Sequence, residues 1–343
     1  MRKHFVCVRI TRLNGINLNR FTFDMDVTWN AFFTDASLNI YSRYGGRDGG
    51  EPDARMSRSS LLQTMQEVLA LHRTGSRAFQ PVRPGHRTPR DLPLLKRNHN
   101  GCIRCHQVRE YELLQAYHDG RFSRRELFRF PPPENIGMKF ERAHGHRLSE
   151  VLKNSPAAAA GLKPGDMITR INDVPVRSEY DVRFALDRTR DDTPLQVVVD
   201  RRAASGTASS RQLQLKLPTA WWVTDIGWKK SMRSAPFTTG MRGYNLGPSQ
   251  RKEAGITTEK LAVRISSVYE DGFARSVGLQ KRDIVVGIPR TVSGIRKFEE
   301  FVGTLLGHYQ PGDTVRLAVI RKGKRMMING PFPAWFTEET TVP

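Results

Sequence analysis

Residues 154–172 read NSPAAAAGLKPGDMITRIN. Each part of this run has a backbone reason. Pro156 suits the first turn of a helix, where its missing N–H has no intrahelical partner. Gly161 ends the alanine helix with the left-handed cap that other residues resist. Leu162 then opens a tight turn through Lys163-Pro164-Gly165-Asp166, Pro-Gly being turn chemistry. Met167 to Ile171 follows at once as an alternating strand.

The run closely resembles the SPAxxAGLxxGDxIxxxNG signature of PDZ domains, especially the bacterial kind attached to the high-temperature-requirement serine proteases. The resemblance implies a partly open β-barrel capped by helices, with a groove for extended peptides or protein C-termini. In that family an x-Φ-G-Φ loop offers backbone N–H groups to a terminal carboxylate, and Ile136-Gly137-Met138 matches it. A peptide would add as a strand beside Met138, Lys139 and Phe140, its side chains falling alternately into a pocket and into solvent. The facing wall is the helix expected near Ser178 to Thr189. Val182, Ala185 and Leu186 share one of its faces, and Phe184 or Val182 is expected to set the pocket size. Taken singly, each of these apolar residues reads as core; only the set, at the family's positions, argues for a groove. Glu134 to Phe140 reads as the entering strand, and Leu195–Asp200 with Arg211–Leu217 as the closing hairpin.

An internal repeat follows. Residues 272–285, GFARSVGLQKRDIV, set Gly278-Leu279 and Asp283 at the separation of Gly161-Leu162 and Asp166. Leu261–Val268 precedes them as a strand. A helix carrying Phe298, Phe301, Val302 and Leu305, the turn Gln310-Pro311-Gly312-Asp313 and the strand Val315–Ile320 complete the match. Arg282 stands where the first copy has Gly165, and Gly287-Ile288-Pro289-Arg290 stands in place of the Asn-Gly turn usual in that family. The loop Thr239-Gly240-Met241-Arg242 lacks the first apolar residue, so the second groove is expected to be structural. Between the repeats, Trp221, Trp222 and Trp228 read as aromatics that pack a connector onto a neighbouring domain.

Upstream of the repeats, Phe5–Ile10 has strand composition, with Cys7 read as a buried apolar residue. A hairpin is expected from Asp24–Phe33 and Leu38–Tyr41, ending at Gly45-Gly46. Leu61, Leu62, Met65, Val68 and Leu69 then recur at helical spacing, with Asp53 or Ser57 as cap. This order resembles the second half of a thioredoxin fold. There is no CxxC after the first strand, and Val27-Thr28 stands where the facing cis-proline would be, so the resemblance implies the fold without the redox activity. Either the domain is degenerate, or the natural chain starts upstream with the first βα unit and an export signal. Arg73–His99, rich in Pro, Arg, His and Gly, reads as a linker.

Asn100-Gly101-Cys102-Ile103-Arg104-Cys105-His106 contains Cys-x-x-Cys-His, the pattern of c-type haem attachment. Cys102 and Cys105 would form the thioethers and His106 would bind the iron. Val108, Tyr111, Leu114, Tyr117 and His118 continue in helical spacing. Met138, His118, His144 and His146 are the downstream candidates for a sixth ligand. The other readings are a disulfide or reactive dithiol of Cys102 and Cys105, or a zinc site completed by His99 or His118.

The 343 residues are 38% hydrophobic, which suits an α+β multidomain chain,. The formal charge of +21 comes from arginine and lysine scattered among acids, one-sided only over His72–Arg109. A biased surface explains that pattern better than a nucleic-acid groove, and no nucleic-acid partner is expected. Three cysteines exclude a disulfide scaffold,. No run reaches the roughly 18 apolar residues of a membrane helix, and the first residues lack a signal's apolar core.

The expected divisions are 1–73 partial thioredoxin-like, 74–99 linker, 100–130 CxxCH segment, 131–218 and 239–333 PDZ-like, 219–238 connector and 334–343 tail. The best reading is a non-enzymatic protein that captures C-termini or extended peptides, in the periplasm or cell envelope. The alternative is a haem c redox or electron-transfer protein whose PDZ repeats dock a partner. A serine protease would need a further β-barrel domain for its triad, and no segment is left over for one.

Overall fold

The computed structural model describes residues 2–98, 101–191, 193–202, 206–234, 239–270, 272–289, 295–310 and 312–332. His99, Asn100, Arg290, Pro311 and the tail 334–343, which enter the expectations above, lie outside the described residues. By contact the chain forms two compact units, residues 1–91 with 128–224 and residues 92–127 with 225–343. The hairpin region therefore belongs to the same unit as the first repeat.

In that first unit, β1 (Asn30–Thr34) and β2 (Ile40–Gly45) pair antiparallel and lead to α1 (Arg58–Arg73). The Ser57 hydroxyl caps α1 by accepting from the Ser60 N–H,. Phe33, Tyr41, Tyr44 and Val68 form a small core between hairpin and helix. Two expectations fail upstream of it. Phe5–Ile10 forms no strand, and Cys7 is exposed beside Val6 at 94% and Val8 at 78% exposure. Alternation needs a neighbouring strand to become a ladder, and the sheet here contains only β1 and β2,. The thioredoxin resemblance thus rests on the hairpin and α1 alone.

The first repeat follows in the same unit. A 3-10 turn at Pro133–Ile136, not the strand expected from Glu134, ends at Gly137 with φ +91°. β3 (Met138–Phe140) pairs with β4 (Leu148–Val151), and α4 (Pro156–Ala159) is capped by Ser155. Then come β5 (Met167–Ile171), β6 (Val174–Pro175), α5 (Glu179–Arg188), β7 (Leu195–Arg202) and β8 (Ala208–Leu215), in a sheet ordered β6-β5-β7-β8. The bridge Arg147↔Met167 joins the β4 side to β5. Trp221 and Trp222 pack onto this unit, as their density predicts. Trp222 stacks near Phe128 and donates its indole N–H to Asp191 at 2.9 Å.

The second unit opens with α2 (Pro93–Asn98) and α3 (Cys105–His118). Leu92 and Leu95 are buried there, so the end of the expected linker is built into a core. β9 (Met241–Asn245), α6 (Pro248–Glu253), β10 (Val263–Val268), α7 (Phe273–Ser276), β11 (Ile284–Gly287), α8 (Phe298–His308), β12 (Thr314–Arg321) and β13 (Lys324–Pro331) follow. Their sheet runs β13-β12-β11-β10-β9. Apart from the added α6 and, among the described residues, the lack of a counterpart to β6, the order of strands and helices repeats that of the first copy.

The repeats also share one polar clamp. Arg201 donates from Nε and Nη2 to the two oxygens of Asp166, both at 2.6 Å, and from Nη2 to Gly161 O at 2.9 Å. The Lys163 N–H donates to the same carboxylate. In the second copy Arg321 holds Asp283 at 2.8 and 2.7 Å and Gly278 O at 2.7 Å, with the Gln280 N–H on the carboxylate. Both carboxylates are buried, so the guanidinium satisfies a charge that water cannot reach,. Arg201→Met leaves Asp166 buried without its cation and should cost about 3 kcal/mol in urea unfolding. Within the turns, Gly165 sits at φ +87° and Arg282 at φ +77°. Since a non-glycine residue there costs roughly 1–2 kcal/mol, part of it offset by glycine's greater unfolded freedom, Arg282→Gly should stabilise the second unit by up to about 1 kcal/mol.

Candidate functional site

The loop at Ile136-Gly137-Met138 is shaped by its packing. A Cβ on Gly137 would collide with the Ser155 hydroxyl, which itself caps α4 and donates to Leu152 O at 2.6 Å. The Leu152 N–H donates to Gly137 O, and the Gly137 N–H closes the 3-10 turn on Glu134 O at 3.0 Å. The second copy reproduces the close approach, with Gly240 against Gly272 and the Tyr269 N–H on Gly240 O at 2.8 Å. Gly137 is therefore required by the fold as much as by any ligand. Ile136 and Met138 are buried. Lys139 and Phe140 are half-buried, with Lys139 Nζ 2.8 Å from Glu150.

β3 has a free edge. Gly137 O and the Glu141 N–H are both engaged with the β4 side, at Leu152 and Arg147. Backbone groups alternate along a strand, so the N–H and C=O of Met138 and Phe140 face the opposite edge. Among the described residues no strand pairs there. The 3-10 turn before Gly137 packs against α5, which brings the loop and the expected groove helix together.

The helix itself is not open. Val182, Ala185 and Leu186 are at most 1% exposed, and Tyr180, Asp181, Arg183 and Phe184 are buried too. β2 covers it through Asp181. That carboxylate accepts from Ser42 Oγ and the Arg43 N–H at 2.7 Å, the Arg177 N–H at 2.9 Å and Gln80 Nε2 at 2.5 Å. Arg43, fully buried, lays its guanidinium 3.5 Å from the Phe184 ring centroid. Burial lowers it to about 10, so it remains a cation,. Phe184, the residue expected to set the pocket size, is thus buried beneath Arg43.

Buried beside this network is His146, with Nε2 3.7 Å from Glu67 and with Arg177, Arg147 and Asp181 as its charged neighbours. Burial pushes the imidazole down to about 4, while burial raises the Glu67 carboxyl.

Cys102 and Cys105 are not joined by a disulfide, so the disulfide reading is not what the structure holds. Cys102 is exposed before α3, Cys105 is its first residue and half-buried, and His106 lies in its first turn. Arg104 donates its N–H to Gln107 Oε1 at 2.9 Å, closing the helix start. Ile103 and Val108 are buried in the surrounding core. Two accessible thiols with an adjacent imidazole fit covalent haem attachment. His118 sits at the other end of α3, roughly 18 Å along the axis from His106, too far for the two to hold one iron,. Of the other sixth-ligand candidates, Met138, His144 and His146 all belong to the first unit. For zinc, no group of three or more His, Cys, Asp or Glu able to hold a metal occurs among the described residues.

Residues 147–201 match the PDZ domain family model, so the chain carries a PDZ domain. The match spans β4 to β7 and includes Asp166 and Arg201. Relatives include the periplasmic pH-dependent serine endoprotease DegQ of Escherichia coli K12, 27% identical over 43% of this chain and 28% of that protein. A probable periplasmic serine endoprotease DegP-like of Chlamydia pneumoniae is 28% identical over 44% and 29%. The chain spans less than a third of the length of these relatives. A solved structure of the HtrA-type protease AlgW with decapeptide overlaps 40% of this chain and 48% of its own at 14% identity, with a TM-score of 0.23.

Sequence reading missed Arg201, Arg321, Asp181 and Arg43. The two clamp arginines carried a signal, since each stands in the last two residues of the same strand of its repeat. Asp181 is the third residue after the cap Ser178, a spacing that predicts a cap but not its ties to β2. His146 makes the first unit acid-sensitive. Its unfolded imidazole takes up a proton near pH 6.5 while the folded one resists to about 4, so stability is fully present above 6.5 and falls as pH drops through that window,. The loss reaches at most about 3 kcal/mol, and Glu67 contributes with the opposite sign. His146→Gln should flatten the pH dependence of unfolding between those limits.

Proposed function

We propose that the chain is a non-enzymatic peptide-capture protein of an extracytoplasmic compartment, its first PDZ repeat receiving extended or C-terminal segments by strand addition. The observation that carries this reading is the outward-facing backbone of Met138 and Phe140, set directly after the Gly137 loop. Ile136, Gly137 and Met138 lie where the terminal carboxylate would bind, and Lys139 and Phe140 flank the added strand. Val182, Ala185 and Leu186 support the wall from the core side. The periplasmic names of the DegQ and DegP-like relatives support the compartment. Their protease activity is not carried over, because the similarity is reached through less than a third of their length. The hairpin and α1 are read as a thioredoxin-type half without a redox dithiol.

The test is fluorescence anisotropy of extended peptides with free or amidated C-termini on the full chain. Phe140→Pro removes an amide that β4 does not use, so the repeat should stay folded while affinity falls at least about tenfold, roughly 1.4 kcal/mol. Unchanged affinity would reject the β3 edge as the site.

The CxxCH segment supports a second reading, that Cys102 and Cys105 carry haem c with His106 as the iron ligand. The accessible thiols at the start of α3 favour it. Bound haem would supply a one-electron centre, and the PDZ repeats would dock the redox partner. Coexpression with a haem-attachment system should give a Soret band that Cys102→Ser with Cys105→Ser abolishes. A colourless protein with two titratable thiols in that segment would exclude it.

A further inference from the structure

We infer that the chain holds the groove of its first repeat closed with its own Asp48–Ser57 segment, fastened by Arg55. The inference rests on the reading of that groove as a peptide site. Arg55 Nη1 lies 2.7 Å from Glu134 on the turn that enters the Gly137 loop, and 2.7 Å from Glu179, the first residue of α5. Its Nε lies 2.7 Å from Asp48 of the segment itself. One guanidinium thus joins the two walls between which a peptide would enter.

The segment is held at both ends of that span. Arg142, just beyond β3, donates to Met56 O at 2.9 Å and to Asp53 O at 3.3 Å, and its own carbonyl accepts from Ser57 Oγ at 2.7 Å. On the α5 side, Arg183 donates to Arg47 O at 2.8 Å, and a Cβ on Gly46 would lie 3.3 Å from the Tyr180 ring. The chain between these ties has no helix or strand to break, and its outer side is exposed from Gly49 to Ala54. It can therefore leave without unfolding the repeat.

The energetics favour a fastening that holds but can yield. Arg55 is 16% exposed on its side chain and Glu179 13%, so their bonds are shielded from the screening that weakens surface pairs,. Charge-assisted bonds to three carboxylates hold the cation. Burial disfavours the charge of Arg55, yet Glu179, Glu134 and Asp48 together push it above its ordinary value. No covalent or backbone ladder bond is involved, so an incoming peptide competes with side chains only.

The experiment compares the full chain with Arg55→Ala and with the milder Asp48→Asn, which loosens the segment's own arm. Amide hydrogen exchange reads the closure, and anisotropy of a fluorescein-labelled extended peptide with an apolar, free-carboxylate end reads the groove. Arg55→Ala should speed exchange across residues 46–57 and the first turn of α5. It should also raise peptide affinity about tenfold, because a larger fraction of molecules is competent to bind. Asp48→Asn should move both readouts the same way by less, and it decides the matter if Arg55→Ala fails to fold. Exchange that stays at the wild-type rate in the folded variants overturns the closure. Faster exchange with no gain in affinity supports the fastening and refutes instead the peptide site in this repeat.

Discussion

Each repeat is organised around a carboxylate that is buried in order to be used. Asp166 accepts from a turn amide and from a forked guanidinium that also holds the carbonyl of the helix cap. Three pieces of chain, the end of α4, the turn and β7, are thereby fixed relative to one another. Asp283 does the same in the second copy with Arg321. An unpaired carboxylate in that position would cost several kcal/mol, which makes the clamp a strong constraint on the local fold. The loop that precedes β3 is located by the same frame, since it packs on Ser155 at the start of α4.

The repeats keep the clamp and differ at the positions around it. Gly165 becomes Arg282 with φ kept positive, so the second turn carries a side chain in a region that favours glycine,. Ser155 becomes Gly272, and the close approach of the loop glycine is kept with even less bulk between the chains. The shared order of strands, with β9 at the edge of its sheet as β3 is of its own, shows that the common frame survives these changes.

The first repeat is further modified by what covers it. Asp181 gathers donors from β2, from Gln80 and from its own helix start, and Arg43 covers Phe184. α5 is buried along two turns, from Tyr180 to Leu186. Burying Arg43 and Asp181 together is tolerable because the carboxylate accepts from four donors and the guanidinium donates to Thr22 O and Gln80 Oε1 and lies against the Phe184 ring, with only Nη2 lacking a hydrogen bond,. The same wrapping brings Arg55 of the Asp48–Ser57 segment onto Glu134 and Glu179 of the repeat.

The helix cap, the turn and β5 were legible in residues 154–172 because local backbone chemistry decides them: a proline at a first turn, a glycine in the left-handed region and a strict alternation. The repeat was legible because Gly278 and Asp283 keep the same spacing, and α5 because Val182, Ala185 and Leu186 fall on one helical face. The loop at Ile136–Met138 and its glycine were likewise readable as a motif. What covers them was not. Phe5–Ile10 has strand composition and no partner, so it forms no strand, and Cys7 is exposed. Val182, Ala185 and Leu186 read equally well as groove or core, and only the packing of β2 and the Arg55 ties decides that they lie beneath a covered helix. The ties of β2 and Arg55 to the repeat join residues 79 to 139 positions apart, whose pairing depends on charge, burial and shape brought together only by the tertiary fold.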